Sequence, residues 1–203
     1  MKSIEDTLRL VNNIVEKLRK FCSVDIALAG GYAVISHGVG RTTADADFFL
    51  YSNIIKENSV KFFQFLKKAT PANFKIKIIE GSTMHDDPFP YDIAFLTDKT
   101  GEYPRIDFII ARYKWELEGI KSSKSLEDIP FPVLPIPYLI ATKLKAGGPK
   151  DDFDVIELYK FLSEKEKKKT AELAALIRRD RKLAALLKRD KERAEAEDQS
   201  QLI

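Results

Sequence analysis

Cysteine is all but absent from this chain: Cys22 stands alone among 203 residues, so no disulfide can close within it, and a lone thiol suits a reducing compartment. Long hydrophobic runs are missing too. None approaches the roughly 18–20 apolar residues that a membrane span needs. The opening stretch MKSIEDTLRLVNNIVEKLRK is broken throughout by charges, which reads as an amphipathic helix and not as a signal peptide. A cytoplasmic protein is expected. Charge of one sign is scarce as well. The formal net charge is +3, and from residue 163 onward 12 Lys and Arg face 9 Asp and Glu; taken from totals of 34 and 31, that leaves 22 of each sign before it. The body is neutral, the surplus sits in the tail, and bulk charge makes no case for nucleic-acid binding.

What is present is the patterning of a folded α+β protein, with 44% hydrophobic residues and length enough for one domain plus an extension. Ile4, Leu8, Val11, Ile14, Val15 and Leu18 recur at helical spacing. SVDIALAG reads as a short buried strand ending at Gly30–Gly31, GYAVISHGVG as a helix of about two turns, and ADADFFLY as a strand. A helix follows over 58–69 and a half-buried strand over 74–80. Residues 91–97 and 105–111 form a hairpin around the turn-rich DKTGEYP. The proline-rich IPFPVLPIP, 129–137, is expected to be an irregular connector. YLIATKLKA and DFDVIELYKFL read as two helices. The tail carries a near-duplicate, LAALIRRDRK then LAALLKRDKE, whose apolar stripe stays nearly aligned on a continuous helix. The expectation is a mixed sheet of four to five strands flanked by helices with a helical C-terminal half, a first domain over 1–128, and a second region over 129–203 containing one charged tail helix, 164–197. That tail is expected to lie on the domain or to pair two copies of the chain.

Two aspartates stand out because they sit inside a strand pattern. Asp45 and Asp47, at i and i+2, project from one face with Cα atoms about 6–7 Å apart. Such carboxylates repel unless a cation lies between them. Hard divalent cations take oxygen ligands, and two of them about 3.5–4 Å apart can clamp the entering and leaving oxygens of a phosphoryl transfer. A third carboxylate would complete the set. Asp107 in RIDFII is the first candidate and Asp92 in YDIAF its competitor; the plain alternative for Asp107 is an ion pair with Arg105 or Arg112. Gly30–Gly31, between a strand and a helix, lets backbone approach a ligand closely, and the helix start offers N–H groups to phosphate.

Strand, Gly-Gly, short helix, Arg and D-x-D on a strand resemble the nucleotidyltransferase superfamily with the DNA polymerase β-like fold. GGYAVISHGVGRTTADAD is similar to its AbiEii-like branch, as is IPYLIATKLKAGGPKDDFDVIEL, although GGPKDD offers Lys150 where the branch often has Arg. The resemblance spans roughly residues 20–162. It implies Mg²⁺ or Mn²⁺, two ions, held by Asp45, Asp47 and Asp107, with Asp107 also a general base. It implies a nucleoside triphosphate substrate contacted by Gly30, Gly31, Arg41, Thr43, Lys143 and Asp154, the last orienting Lys143 or meeting the base. An acceptor hydroxyl would take the nucleotidyl group and pyrophosphate would leave.

The acceptor class is open between RNA, notably tRNA 3′ ends, as in toxins silenced by an antitoxin protein, and a small molecule of the antibiotic type; transfer to protein side chains and a non-catalytic nucleotide binder are further alternatives. Lys75, Lys77, Arg105 and Arg112 could form a local basic patch for RNA. The bland readings suit other residues better: His37 caps or packs the short helix, His85 in TMHDDP is solvated, and Tyr32 is a packed aromatic.

Overall fold

The structure, a computed structural model, describes residues 2–81, 92–126 and 129–200. The expectation for His85 lies outside the described residues. The chain divides into two compact units, Met1–Pro135 and Ile136–Ile203.

In the first unit, α1 (Ile4–Arg19) starts at Ser3, whose hydroxyl accepts the Asp6 N–H at 3.2 Å, and it buries the expected apolar stripe. Then come β1 (Asp25–Leu28), α2 (Gly30–Ser36), β2 (Asp45–Tyr51), α3 (Asn53–Ala69), β3 (Phe74–Ile79), β4 (Ile93–Asp98), β5 (Arg105–Ile110), α4 (Lys114–Ser122), β6 (Lys124–Ser125) and β7 (Pro132–Val133). Helix α3 breaks at Asn58, whose side chain accepts the Lys61 N–H at 2.8 Å, so the sequence pattern beginning at 58 marks where its regular part starts.

The strands form one mixed sheet in the order β3-β4-β5-β2-β1-β7-β6, with β2–β5 and β1–β7 parallel and the other pairs antiparallel. Seven strands among the described residues exceed the four to five expected. Of the extra pair, β6 precedes the proline-rich connector and β7 lies within it: β7 opens on Pro132, where a missing N–H costs little, and joins β1 through Leu134 N–H to the Leu28 carbonyl at 3.0 Å. Helix α4 was also outside the sequence expectation. Its start is held by the buried Glu116 carboxylate, which accepts the backbone N–H groups of Arg112 and Tyr113 at 2.8 and 2.9 Å.

Alternation along the strands assigns the two sheet faces. Ala46, Phe48 and Leu50 on β2, Ile106, Phe108 and Ile110 on β5, and Ala94 and Leu96 on β4 are fully buried, and this face is the core. The in-between positions carry Asp45, Asp47, Arg105, Asp107, Phe95, Lys75 and Lys77 to the other face.

The second unit is helical: α5 (Ile136–Ala146), α6 (Pro149–Tyr159), α7 (Glu164–Leu176) and α8 (Asp180–Ser200). The tail expected as one helix is therefore two. Helix α7 ends in a Schellman turn, with the Arg178 N–H on the Ala175 carbonyl and the Arg179 N–H on the Ala174 carbonyl, and Arg178 takes a left-handed φ of 57°. The break folds the duplicate back on itself, so that Leu173 and Ala174 of the first copy and Leu183 and Leu186 of the second are all buried. Among the described residues no helix is long and apolar enough to cross a membrane.

Candidate active site

The site is built by register. Strands β2 and β5 run parallel with Asp45 opposite Arg105 and Asp47 opposite Asp107. Neighbouring strands lie about 4.8 Å apart, so Asp47 and Asp107 sit level, side by side, on the face the core does not use. Asp92 does not compete. It precedes β4 at the level of Ile110, three residues along from Asp107, and alternation turns it to the other face. Its carboxylate pairs with Arg112 at 2.6 Å and accepts the Gly81 N–H at 2.8 Å.

Gly30 fixes the third side. A Cβ there would fall inside the Asp47 carboxylate, and Gly30 has a φ of +57°, so glycine is required on both counts. Asp47 thus lies directly against the first residue of α2. Gly31 has the same role toward other groups: a Cβ would come within 2.5 Å of Thr43 Oγ1 and 2.8 Å of an Arg41 guanidinium nitrogen. Gly30, Gly31, Arg41, Thr43, Asp45, Asp47 and Asp107 therefore gather around the start of α2 and the adjoining strand ends. Lys143 and Asp154 meet within the second unit: Lys143 Nζ lies 2.8 Å from fully buried Asp154 and 3.0 Å from Asp151. His37 Nε2 donates a hydrogen bond to the Leu134 carbonyl at 2.8 Å, tying the end of α2 to the chain after β7.

A cation already joins the carboxylates. Arg105 Nη2 donates to Asp45 Oδ2 at 2.6 Å and Asp107 Oδ2 at 3.0 Å, while its Nε donates to Asp107 Oδ1 at 2.8 Å. The ion pair left open for Asp107 in the sequence is thus made with Arg105, and its extension to Asp45 went unforeseen. The pattern R-x-D on a strand carries the signal, since i and i+2 share a face. Among the described residues no three acidic, histidine or cysteine side chains are drawn into a ready metal-binding group; here the gathering charge is a guanidinium.

Burial pushes the Asp107 carboxyl up to about 6, with the charges of Asp47 and Asp45 adding to it and Arg105 opposing. Burial alone would lower Arg105, but Asp107, Asp45 and Asp47 together hold it above its usual range. Burial raises the Tyr32 phenol, and Asp45 and Glu5 raise it further. In chemistry the donor set suits hard divalent cations, since all three side chains offer carboxylate oxygens, and a positive group already joins two of them, Asp45 and Asp107.

No protein-family model matches the sequence, and no curated protein is similar to it in sequence. Solved structures are similar in shape. ANT(2'')-Ia, in complex with adenylyl-2''-tobramycin, is 12% identical with a TM-score of 0.50, covering 84% of this chain and 98% of its own. An antigenic nucleotidyltransferase-like protein from Paracoccidioides brasiliensis is 18% identical, with a TM-score of 0.46 and coverage of 90% and 93%. Terminal uridylyl transferase 4 from Trypanosoma brucei with bound CTP is 12% identical, with a TM-score of 0.41 and coverage of 79% and 53%. The fold is the mixed α+β nucleotidyltransferase fold.

Proposed function

We propose that this chain is a divalent-metal-dependent nucleotidyltransferase of the AbiEii-like type, which moves a nucleoside monophosphate from a nucleoside triphosphate to a hydroxyl of RNA. One observation carries the reading: three carboxylates leave a core-forming sheet on one face, Asp47 level with Asp107 and set against a glycine whose missing Cβ makes room for it.

Bound Mg²⁺ or Mn²⁺ would be held by Asp45, Asp47 and Asp107 and would neutralise charge on the phosphates and on the attacking and leaving oxygens. The chain's own residues do the rest. Gly30 makes room for the Asp47 carboxylate and Gly31 for Thr43 and Arg41; by resemblance these four residues contact the triphosphate at the start of α2. Asp107 is assigned by resemblance to take the acceptor hydroxyl's proton as its oxygen attacks the α-phosphorus; the α–β phosphoanhydride bond breaks and pyrophosphate leaves. Lys143, paired with Asp154, is assigned to phosphate neutralisation only by resemblance, and so is an antitoxin partner; a cytoplasmic setting rests on composition alone, and a second copy of the chain on the tail's apolar stripe alone.

The acceptor is argued from the same face. At the level of Asp47 and Asp107 the next strands carry Phe95 and then Lys77, with Lys75 two residues away. Both lysines are exposed. They also blunt an edge strand against pairing, but their charge favours an anionic acceptor and repels a polycationic antibiotic.

The test is incubation with each α-labelled triphosphate, Mg²⁺ and total RNA. Label on RNA, lost in Asp47→Asn and weakened by Lys75→Gln with Lys77→Gln, is the expected result. Label only on an added aminoglycoside or on the protein itself overturns the acceptor; no transfer of any kind, with triphosphate retained, overturns the enzyme in favour of a nucleotide binder.

A further inference from the structure

We propose that Arg105 is an internal competitor for the metal-binding carboxylates, its guanidinium holding the oxygens of Asp45 and Asp107 that a divalent cation needs. The proposal rests on the reading of those aspartates as metal ligands. Three hydrogen bonds engage both oxygens of Asp107 and one of Asp45, at 2.6 to 3.0 Å. A cation shared by the same two side chains takes those oxygens at roughly 2.0–2.6 Å, and a guanidinium cannot stay on them. Cation entry therefore requires Arg105 to leave.

The setting permits that exchange. The Arg105 side chain is 44% exposed and that of Asp45 38%, whereas Asp107 is 8% exposed. A buried arginine could not be dislodged, and a fully exposed one would compete weakly against water. Arg105 also has somewhere to rest, because its guanidinium carbon already lies 5.2 Å from the centre of the Phe95 ring. Once displaced, it is a bidentate donor next to an incoming triphosphate, and phosphate suits its fork as well as carboxylate does. Two effects follow. The free protein holds metal alone weakly, and metal and triphosphate bind with positive coupling, since the triphosphate gives the displaced arginine a partner.

The test measures Mn²⁺ affinity of the full chain by the spin-resonance signal of free Mn²⁺, without nucleotide and then with an unreactive triphosphate analogue. Without nucleotide, Arg105→Gln is expected to bind Mn²⁺ about tenfold more tightly than the wild type, the scale of one charge-assisted contact given up in a half-exposed setting. Arg105→Lys keeps the charge but not the fork and falls between. Lys77→Gln, which removes a charge from the same face without touching the carboxylates, stays within about twofold, and the analogue tightens Mn²⁺ binding more in the wild type than in Arg105→Gln. Equal or weaker binding in Arg105→Gln, with Asp47→Asn still abolishing it, overturns the competitor and leaves the metal site standing; Arg105 is then a scaffold for the carboxylates. An equal gain in Lys77→Gln overturns it also, as bulk charge. No Mn²⁺ binding in the wild type or in either Arg105 variant overturns the metal reading and this proposal together. Unchanged Trp115 emission in each variant shows that the first unit is folded.

Discussion

Asp107→Asn isolates the cost of building a carboxylate into a sheet. Its carboxyl is pushed from 3.8 to about 6, chiefly by burial, with Asp47 and Asp45 reinforcing the rise and Arg105 resisting it. The native state therefore binds a proton that the unfolded chain has already lost. Below about pH 3 both states hold that proton and the group costs nothing. Between pH 4 and 6 the unfolded chain ionises first, and above 6 the penalty is complete. At 1.36 kcal/mol per unit, a rise of about two units amounts to about 3 kcal/mol against folding. Asparagine does not titrate, so the stability of Asp107→Asn minus that of the wild type should widen by about 3 kcal/mol from pH 3 to pH 8. Trp115, the single tryptophan, is buried in the same unit as Asp107, and its emission in a urea titration follows that unit's unfolding. Adding Mg²⁺ at pH 8 to 100 times its dissociation constant should return about 2.7 kcal/mol to the wild type and nothing to the variant. A difference that stays flat or narrows as pH rises refutes the reasoning, because it would mean that Arg105 balances or outweighs burial and leaves Asp107 at or below its ordinary value.

Gly30→Ala puts a Cβ into the Asp47 carboxylate at a left-handed φ; about 1–2 kcal/mol of backbone strain is expected in urea titration, together with loss of Mn²⁺ binding as Asp47 is driven out of line. In the second unit, Asp154→Ala removes one of two carboxylates from buried Lys143, and about 3 kcal/mol is expected to disappear from the helical unfolding transition followed by circular dichroism. Arg178→Gly relieves the left-handed residue that closes α7, and a gain of about 0.5–1 kcal/mol in the same transition is expected; no gain would mean that the Arg178 side chain compensates for its backbone.

Much of the fold was readable because alternation and helical spacing are local. The burial of Phe48 and Leu50 on β2, and of Ile106, Phe108 and Ile110 on β5, follows from period-two patterning, and that alone sends Asp47 and Asp107 outward. What local pattern cannot supply is how far one strand slides along another, and the level pairing of Asp47 with a residue 60 positions later is such a register. Two-residue strands at a proline-rich segment, and a helix announced mainly by a buried glutamate, carry too few residues to show a period. The tail failed for a different reason. Both copies of LAAL are strong helix formers, and propensity is indifferent to whether one Arg-Arg continues the helix or closes it; the interior decides by burying both copies.

Arg105 was legible in position but not in consequence. A basic residue at the outset of a strand ordinarily marks a solvated end. Here the sheet allows it no other face: with Ile106 and Phe108 committed to the core, Arg105 and Asp107 must emerge together, and the parallel register brings Asp45 opposite Arg105. A one-residue slip would not separate them without driving both charges into the core face. The same alternation that brings the three carboxylates to one face therefore supplies them with a cation of their own, and under the proposed metal reading a divalent ion would have to displace it.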